Sequence, residues 1–194
     1  GDEVHDDLAQ LRRIGFDEVF DTTTGADLTV LEEAGEFLGK VQKGEKLPLF
    51  TSCCPAWVKY VETHHPELVE NVSTCRSPMQ MFGAVLKEHY SHSHRRVVVV
   101  AIMPCTAKKQ DAARDEFKEN GIPYVDHVIS TQELIQMIKE SGIVFSEIEP
   151  EAVDMPFGAT SGAGVIFGVT GGVTEAVIRR ISDDKSVTAL RAIP

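Results

Sequence analysis

The sequence predicts an α/β protein, a mostly parallel, doubly wound sheet flanked by helices. Three observations carry that expectation. Val97–Met103 is an unbroken aliphatic run, Val-Val-Val-Val-Ala-Ile-Met, as expected of a strand buried on both faces of a parallel sheet. Short apolar runs alternate with segments whose apolar residues recur at helical spacing. Turn and cap residues fall at the joints between them: Gly15, Gly44, Pro66, Ser77-Pro78 and Thr131.

Each element follows from its own residues. Asp6–Ile14 reads as a helix, with Leu8, Leu11 and Ile14 three apart, stopped by Gly15. Phe16–Phe20 reads as a short strand ending at Asp21. A long helix covers about Asp27–Val41, with Leu28, Leu31, Leu38 and Val41 on one stripe and Gly44 closing it. Leu47–Thr51 is a second strand, with Pro48 marking its start. Pro55–His64 is a helix burying Trp57, Val58 and Val61, and Pro66 breaks it. Pro78, at a first-turn position that needs no N–H, opens a helix to about Tyr90. His92–Arg96 is a basic loop before the third strand, Val97–Met103. Ala107–Asn120 is a helix, Tyr124–Ser130 a fourth strand, and Thr131–Ser141 a helix capped by Thr131.

Beyond that the chain changes character. Val144–Pro156 is acidic and irregular, and six glycines fall between Gly158 and Gly172. A helix over Val173–Ile181 and a strand onset at Ser186–Ile193 have nothing to return to. We therefore divide the chain into a first α/β lobe, residues 1–155, and the beginning of a second, residues 156–194.

Composition excludes several classes. With 42 % apolar and 25 % charged residues, the 194-residue chain is neither disordered nor membrane-spanning. Its net charge of −11 argues against a nucleic-acid groove. The N-terminus, Gly1-Asp2-Glu3-Val4-His5, has no signal-peptide core, so a cytoplasmic location is expected. It also lacks an initiator Met, as expected of a processed product or an excised piece. In a reducing compartment, Cys53, Cys54, Cys75 and Cys105 read as buried hydrophobes, nucleophiles or metal ligands rather than as disulfides.

In doubly wound sheets, function collects at the carboxyl ends of the strands. Two such ends carry thiols: Thr51-Ser52-Cys53-Cys54-Pro55-Ala56-Trp57 and Met103-Pro104-Cys105-Thr106-Ala107-Lys108-Lys109. A helix N-terminus and Lys108 favour the thiolate there. The vicinal pair reads either as two small core residues or as one metal ligand beside a thiol facing a cavity. A Cys₄ iron–sulfur site needs four convergent thiolates, and the chain supplies Cys54, Cys105 and, at the outside, Cys75. Glu33 and Glu36 share a helix face, either as a solvated acidic surface or as a proton relay with Ser73 between them. The glycine-rich stretch is an anion cradle or, more simply, a place of close backbone packing. His64, His65, His92 and His94 lie in polar stretches and are assigned no role.

Taken together, the two thiol loops resemble the first two signature motifs of the iron-only, or [FeFe], hydrogenases. Supporting segments are Gly15–Thr22, Ala26–Thr29, Ser77–Gly83 and Thr170–Val173, so the resemblance covers about residues 8–182. It implies one lobe of that family's fold plus the start of the second. It also implies reversible H₂ oxidation and proton reduction, with ferredoxin or an NAD(P)-linked partner exchanging electrons. The implied cofactor is a 4Fe–4S cluster joined through a cysteine to a di-iron unit carrying CO, cyanide and a bridging dithiolate amine. None of it is expected to be bound by these 194 residues alone. By position, Cys54 and Cys105 match cluster ligands, and Cys53 matches the thiol exchanging protons with the bridging amine. Glu33, Ser73 and Glu36 match the onward proton path. Lys108 matches a donor to cyanide, Met103 packs beside the di-iron unit, and Pro78, Met79 and Phe157 match pocket positions. The departures are equally plain. Nothing matches the third motif, with its two remaining cluster cysteines, or the family's N-terminal strand. Met79 stands where glutamine is usual, and Asp111 where glutamate is usual. The alternatives are a hydrogen-sensing homologue and an iron–sulfur binding or assembly relative without hydrogenase chemistry.

Overall fold

The computed structural model describes residues 9–144, 149 and 151–182. Residues 9–14 are helical (α1) and end at Gly15, whose φ of 120° only glycine adopts readily. The remaining helices are α2 (Thr23–Lys43), α3 (Pro55–His64), α4 (Pro78–His89), α5 (Ala107–Ala113), α6 (Thr131–Glu140) and α7 (Gly172–Ile181). The strands are β1 (Val100–Met103), β2 (Lys118–Glu119), β3 (Ile122–Pro123) and β4 (His127–Ser130). The predicted strand at Ser186–Ile193 and the start of the first helix lie outside the described residues.

The α/β class and the parallel pairing hold, on a small sheet. β1 pairs with β4 in parallel, Val100 opposite His127 through Met103 opposite Ser130. Their core is Met79, Ala101 and Val125, with Val99, Met103, Ala112 and Val128 packed against it. Phe50 makes an isolated parallel bridge to Val72, where Phe50 N–H donates to Asn71 O and Ser73 N–H donates to Phe50 O, both at 2.7 Å. That bridge is all that forms of the predicted strand Leu47–Thr51.

Other expectations are corrected. Phe16–Phe20 forms no strand, because Val19 directs both backbone groups to Asp154: its N–H to the Oδ2 and its carbonyl to the amide. Only the last four residues of Val97–Met103 join the ladder. Val97 and Val99 are held instead by Lys87 Nζ and Asp126 Oδ2, and Val98 is 49 % exposed. The run is therefore not buried on both faces. The helix predicted over Ala107–Asn120 stops at Ala113, where Arg114 turns extended and pairs with Glu62 and Glu116. A hairpin follows, β2 to β3, turned by Asn120-Gly121 at φ 52° and 79°. The cap of α6 is Ser130, not Thr131: Ser130 Oγ accepts from Glu133 N–H, and Glu133 returns a carboxylate to Ser130 N–H.

The largest correction concerns α2. Its leucine stripe points outward, with Leu31, Leu38 and Val41 exposed. The buried face is Gly25, Ala26, Thr29, Val30, Glu33 and Ala34. Close approach explains the inversion, since a Cβ on Gly25 would lie 2.3 Å from Pro78 O of α4. A Cβ on Gly164 would lie 3.0 Å from Ala26 and Thr23, and one on Gly172 only 1.7 Å from Ile166 O, so two of the clustered glycines serve close packing. α2 thus lies against both α4 and α7, and its small-residue face carries one buried carboxylate inward.

Candidate functional site

The two thiol loops meet. Cys54 is the N-cap of α3, followed by Pro55 at N1, and Cys105 lies just before Thr106, the N-cap of α5. Lys108, on the first turn of α5, donates from Nζ to Cys53 O across 2.7 Å. Its ammonium lies 4.0 Å from Asp111 Oδ2, which accepts from Ser77 Oγ at 2.7 Å. Lys108 therefore spends a proton on the backbone of the other loop. Cys54 and Cys105 are exposed free thiols, and Cys53 and Cys75 are half-buried.

The thiolate expectation fails at Cys53. Burial, followed by the nearby Glu33 carboxylate, pushes its thiol up to about 11, and Lys108 offsets only part of that. Cys53 therefore holds its proton at neutral pH. Burial likewise pushes Cys75 up to about 12.

Behind Cys53 lies a line of acid and hydroxyl groups. Glu33 is fully buried, which rules out a solvated face at this position. Its Oε1 accepts from Ser52 N–H at 3.2 Å, while its Oε2 has no hydrogen-bond partner. Desolvation raises its pKa above the ordinary carboxylate value, against the lowering effect of Ser52 and Ser73. Ser73, 6 % exposed, donates from Oγ to Glu36 Oε2 at 2.7 Å. Thr74 N–H donates to both Glu36 oxygens, and Lys40 Nζ stands 3.9 Å from Oε1. Ser52 Oγ donates to Cys75 O at 2.6 Å, and Cys75 N–H donates to Ser73 Oγ at 3.1 Å. A cavity of about 150 Å³ adjoins Ser52, Ser73, Cys75, Ser77 and Asp111, large enough for several waters.

The pocket positions divide. Met79 and Met103 line a cavity of about 760 Å³ beside β1. Pro78 and Phe157 are not among its lining residues: the Pro78 carbonyl faces Gly25, and Phe157 packs edge-on against Phe82 and His89. Sequence reasoning missed Ser52 and Lys40 as partners of the two glutamates. Lys40 was readable, because it lies four residues after Glu36 on one helix. Gln80 was not: it is fully buried, and neither amide atom has a partner.

A four-iron cluster takes four thiolates. The two joined loops offer two exposed free thiols, Cys54 and Cys105. Among the described residues, no group of three or more His, Cys, Asp or Glu is placed to hold a metal ion. Two such thiols are half the number of donors that a four-iron cluster needs.

The family model described as "Iron only hydrogenase large subunit, C-terminal domain" matches residues 3–193. A subunit of the NADP-reducing hydrogenase of Solidesulfovibrio fructosivorans is 49 % identical over 181 residues, 88 % of this chain and 31 % of that protein. Cytosolic iron-sulfur assembly component 3 of Bos taurus is 35 % identical over 157 residues, 75 % of this chain and 33 % of that protein. An apo [FeFe]-hydrogenase structure from Chlamydomonas reinhardtii matches with a TM-score of 0.76 at 46 % identity, covering 90 % of this chain and 46 % of its own. The chain thus spans about a third of the length of these curated relatives.

Proposed function

The chain belongs to the iron-only hydrogenase family, by the C-terminal domain of the large subunit, and from that premise we propose that its parent protein interconverts H₂ with protons and electrons. In this reading Cys54 and Cys105 supply two of the four thiolates for a 4Fe–4S cluster, and sequence outside these residues supplies the rest. When bound, the iron–sulfur and di-iron assembly supplies the electrons and the place where the H–H bond forms or breaks. The chain's own residues move the protons. Cys53, protonated at neutral pH, offers a proton from Sγ. Glu33, its Oε2 without a partner, receives it. Ser73 links onward to Glu36, which Thr74 N–H and Lys40 hold at the surface end. Lys108 fixes the Cys53 loop through its carbonyl and carries a positive charge suited to an anionic ligand.

The observation that carries this reading is the burial of Glu33 with a free oxygen beside a protonated thiol. A protein that only holds a cluster has no use for that arrangement. The electron partner is ferredoxin or an NAD(P)-linked protein; similarity to a subunit of an NADP-reducing hydrogenase supports the second. No described helix is long and apolar enough to cross a membrane, and we place the parent in the cytoplasm.

The test is H₂ evolution from reduced viologen by the cofactor-loaded, anaerobically prepared parent. Sustained turnover is expected; a loaded parent that makes no H₂ contradicts the reading. Similarity to the iron–sulfur assembly component favours a second reading, cluster assembly without H₂ chemistry. Met79, in place of the usual glutamine, favours a third, hydrogen sensing, for which turnover is present but very slow.

A further inference from the structure

One buried acid has no part in the line from Cys53 to Glu36. Asp111, on α5, is 5 % exposed. Its Oδ2 accepts from Ser77 Oγ at 2.7 Å, and Lys108 Nζ lies 4.0 Å away. Burial raises its pKa and Glu116 adds to the rise, while Ser77, Lys108 and Arg114 oppose it. Such a carboxyl takes up a proton more readily than an exposed aspartate does. The 150 Å³ cavity joins this acid to the proton line: Ser52 and Ser73 line it, and so do Ser77 and Asp111. Arg114 and Glu116 line it too, and the Glu116 side chain is 56 % exposed, so the cavity reaches the surface there. Polar cavities of this size hold water, whereas empty ones are apolar. Ser73 is suited to meet that water. Its Oγ donates to Glu36 Oε2 and accepts from Cys75 N–H, which leaves one lone pair open. A hydroxyl also rotates, so its proton can turn from Glu36 to a water. Cys75 Sγ, pushed up to about 12, keeps its own proton and does not compete as a base.

We propose that ordered waters in this cavity carry protons between Ser73 Oγ and the Asp111 carboxylate, a second outlet beside Glu36. Glu33, which reaches the Ser73 hydroxyl, hands it a proton as that hydroxyl gives its own to the nearest water. The last water protonates Asp111, and Asp111 releases the proton to solvent past Glu116. Each group regains the proton it gives, so no further reactant is needed. Proton reduction runs the same steps inward. The fork lies beyond Glu33, so the two outlets share Cys53 and Glu33 and differ only after Ser73. One outlet leads past Lys40, the other past Arg114 and Glu116. This second outlet rests on the H₂ reading and deepens it.

Two measurements on the parent test it. In a crystal structure that resolves waters, an unbroken chain is expected from Ser73 Oγ to Asp111, each step within about 3.2 Å. A dry cavity, or one filled by protein, overturns the proposal. The second measurement is H₂ evolution by loaded parents carrying Glu36→Gln, Asp111→Asn or both, with iron content matched to the unsubstituted parent. Asparagine still accepts from Ser77 Oγ. Parallel outlets predict that Asp111→Asn costs at least about tenfold when Glu36 is already glutamine, and several-fold less when Glu36 is present. Equal fold losses in the two backgrounds, as a structural role or one acting through Lys108 would give, overturn the proposal. So does no loss in the Glu36→Gln background. An unsubstituted, loaded parent that makes no H₂ overturns the H₂ reading itself, and the second outlet with it.

Discussion

Glu33 concentrates the chemistry of the site in one side chain. Its pKa is raised by desolvation, so the folded state holds this proton more tightly than the unfolded state does. The associated stability is fully present below the ordinary glutamate pKa of about 4.5 and is lost as pH rises through the higher folded value. Ionising this buried side chain therefore works against the fold. Glu33→Gln, which still accepts from Ser52 N–H, is therefore expected to raise the thermal midpoint at pH 7 and to leave it unchanged at pH 4, as calorimetry will show. The same variant of the loaded parent is expected to lose about a hundredfold or more in H₂ evolution, with its iron content intact. The pairing of Glu33 with Glu36 and the candidate hydroxyl, Ser73, are legible from residue spacing and type. The burial is not. Among Glu32, Glu33 and Glu36, only the packing of α2 decides which side chain turns inward.

α2 itself was readable as a helix and misread as to face. Apolar periodicity assumes that large side chains mark the core, yet here helix backbones approach too closely for leucine. That makes two glycines of one helix separable. Gly25→Ala drives a Cβ against the Pro78 carbonyl and is expected to cost about 1–3 kcal/mol in urea unfolding. Gly35, exposed, with nothing near its missing Cβ, should gain about 0.5–1 kcal/mol as alanine. In α6, Ser130→Ala removes the capping hydroxyl and is expected to cost about 1 kcal/mol, whereas Thr131→Ala costs little. The helices at Pro55 and Pro78 were legible because proline and its neighbours fix a helix start locally. Strands are less legible for the opposite reason: Phe16–Phe20 and Leu47–Thr51 carry strand-like side chains, but a strand also needs a partner edge. The Asn120-Gly121 turn is a local hairpin signal that the helical reading of Ala107–Asn120 overlooks.

At the scale of the whole molecule, the fold joins the two thiol motifs through the bond from Lys108 Nζ to Cys53 O, residues 55 apart in sequence. It also lays the Glu33 carboxylate of α2 against Ser52, next to Cys53 in the same loop. α/β class and parallel pairing were legible from alternation of elements, and the family from the two thiol loops. The small extent of the sheet among the described residues was not, since strand pairing depends on partner edges that a run of side chains does not reveal. The account rests on Cys53 being a proton carrier rather than a ligand. Its most direct test is the Cys53→Ala variant of the parent, loaded anaerobically and measured at once for iron content and H₂ evolution. Full iron content with turnover down by about a hundredfold or more is the predicted result; undiminished turnover, or loss of iron together with activity, contradicts it.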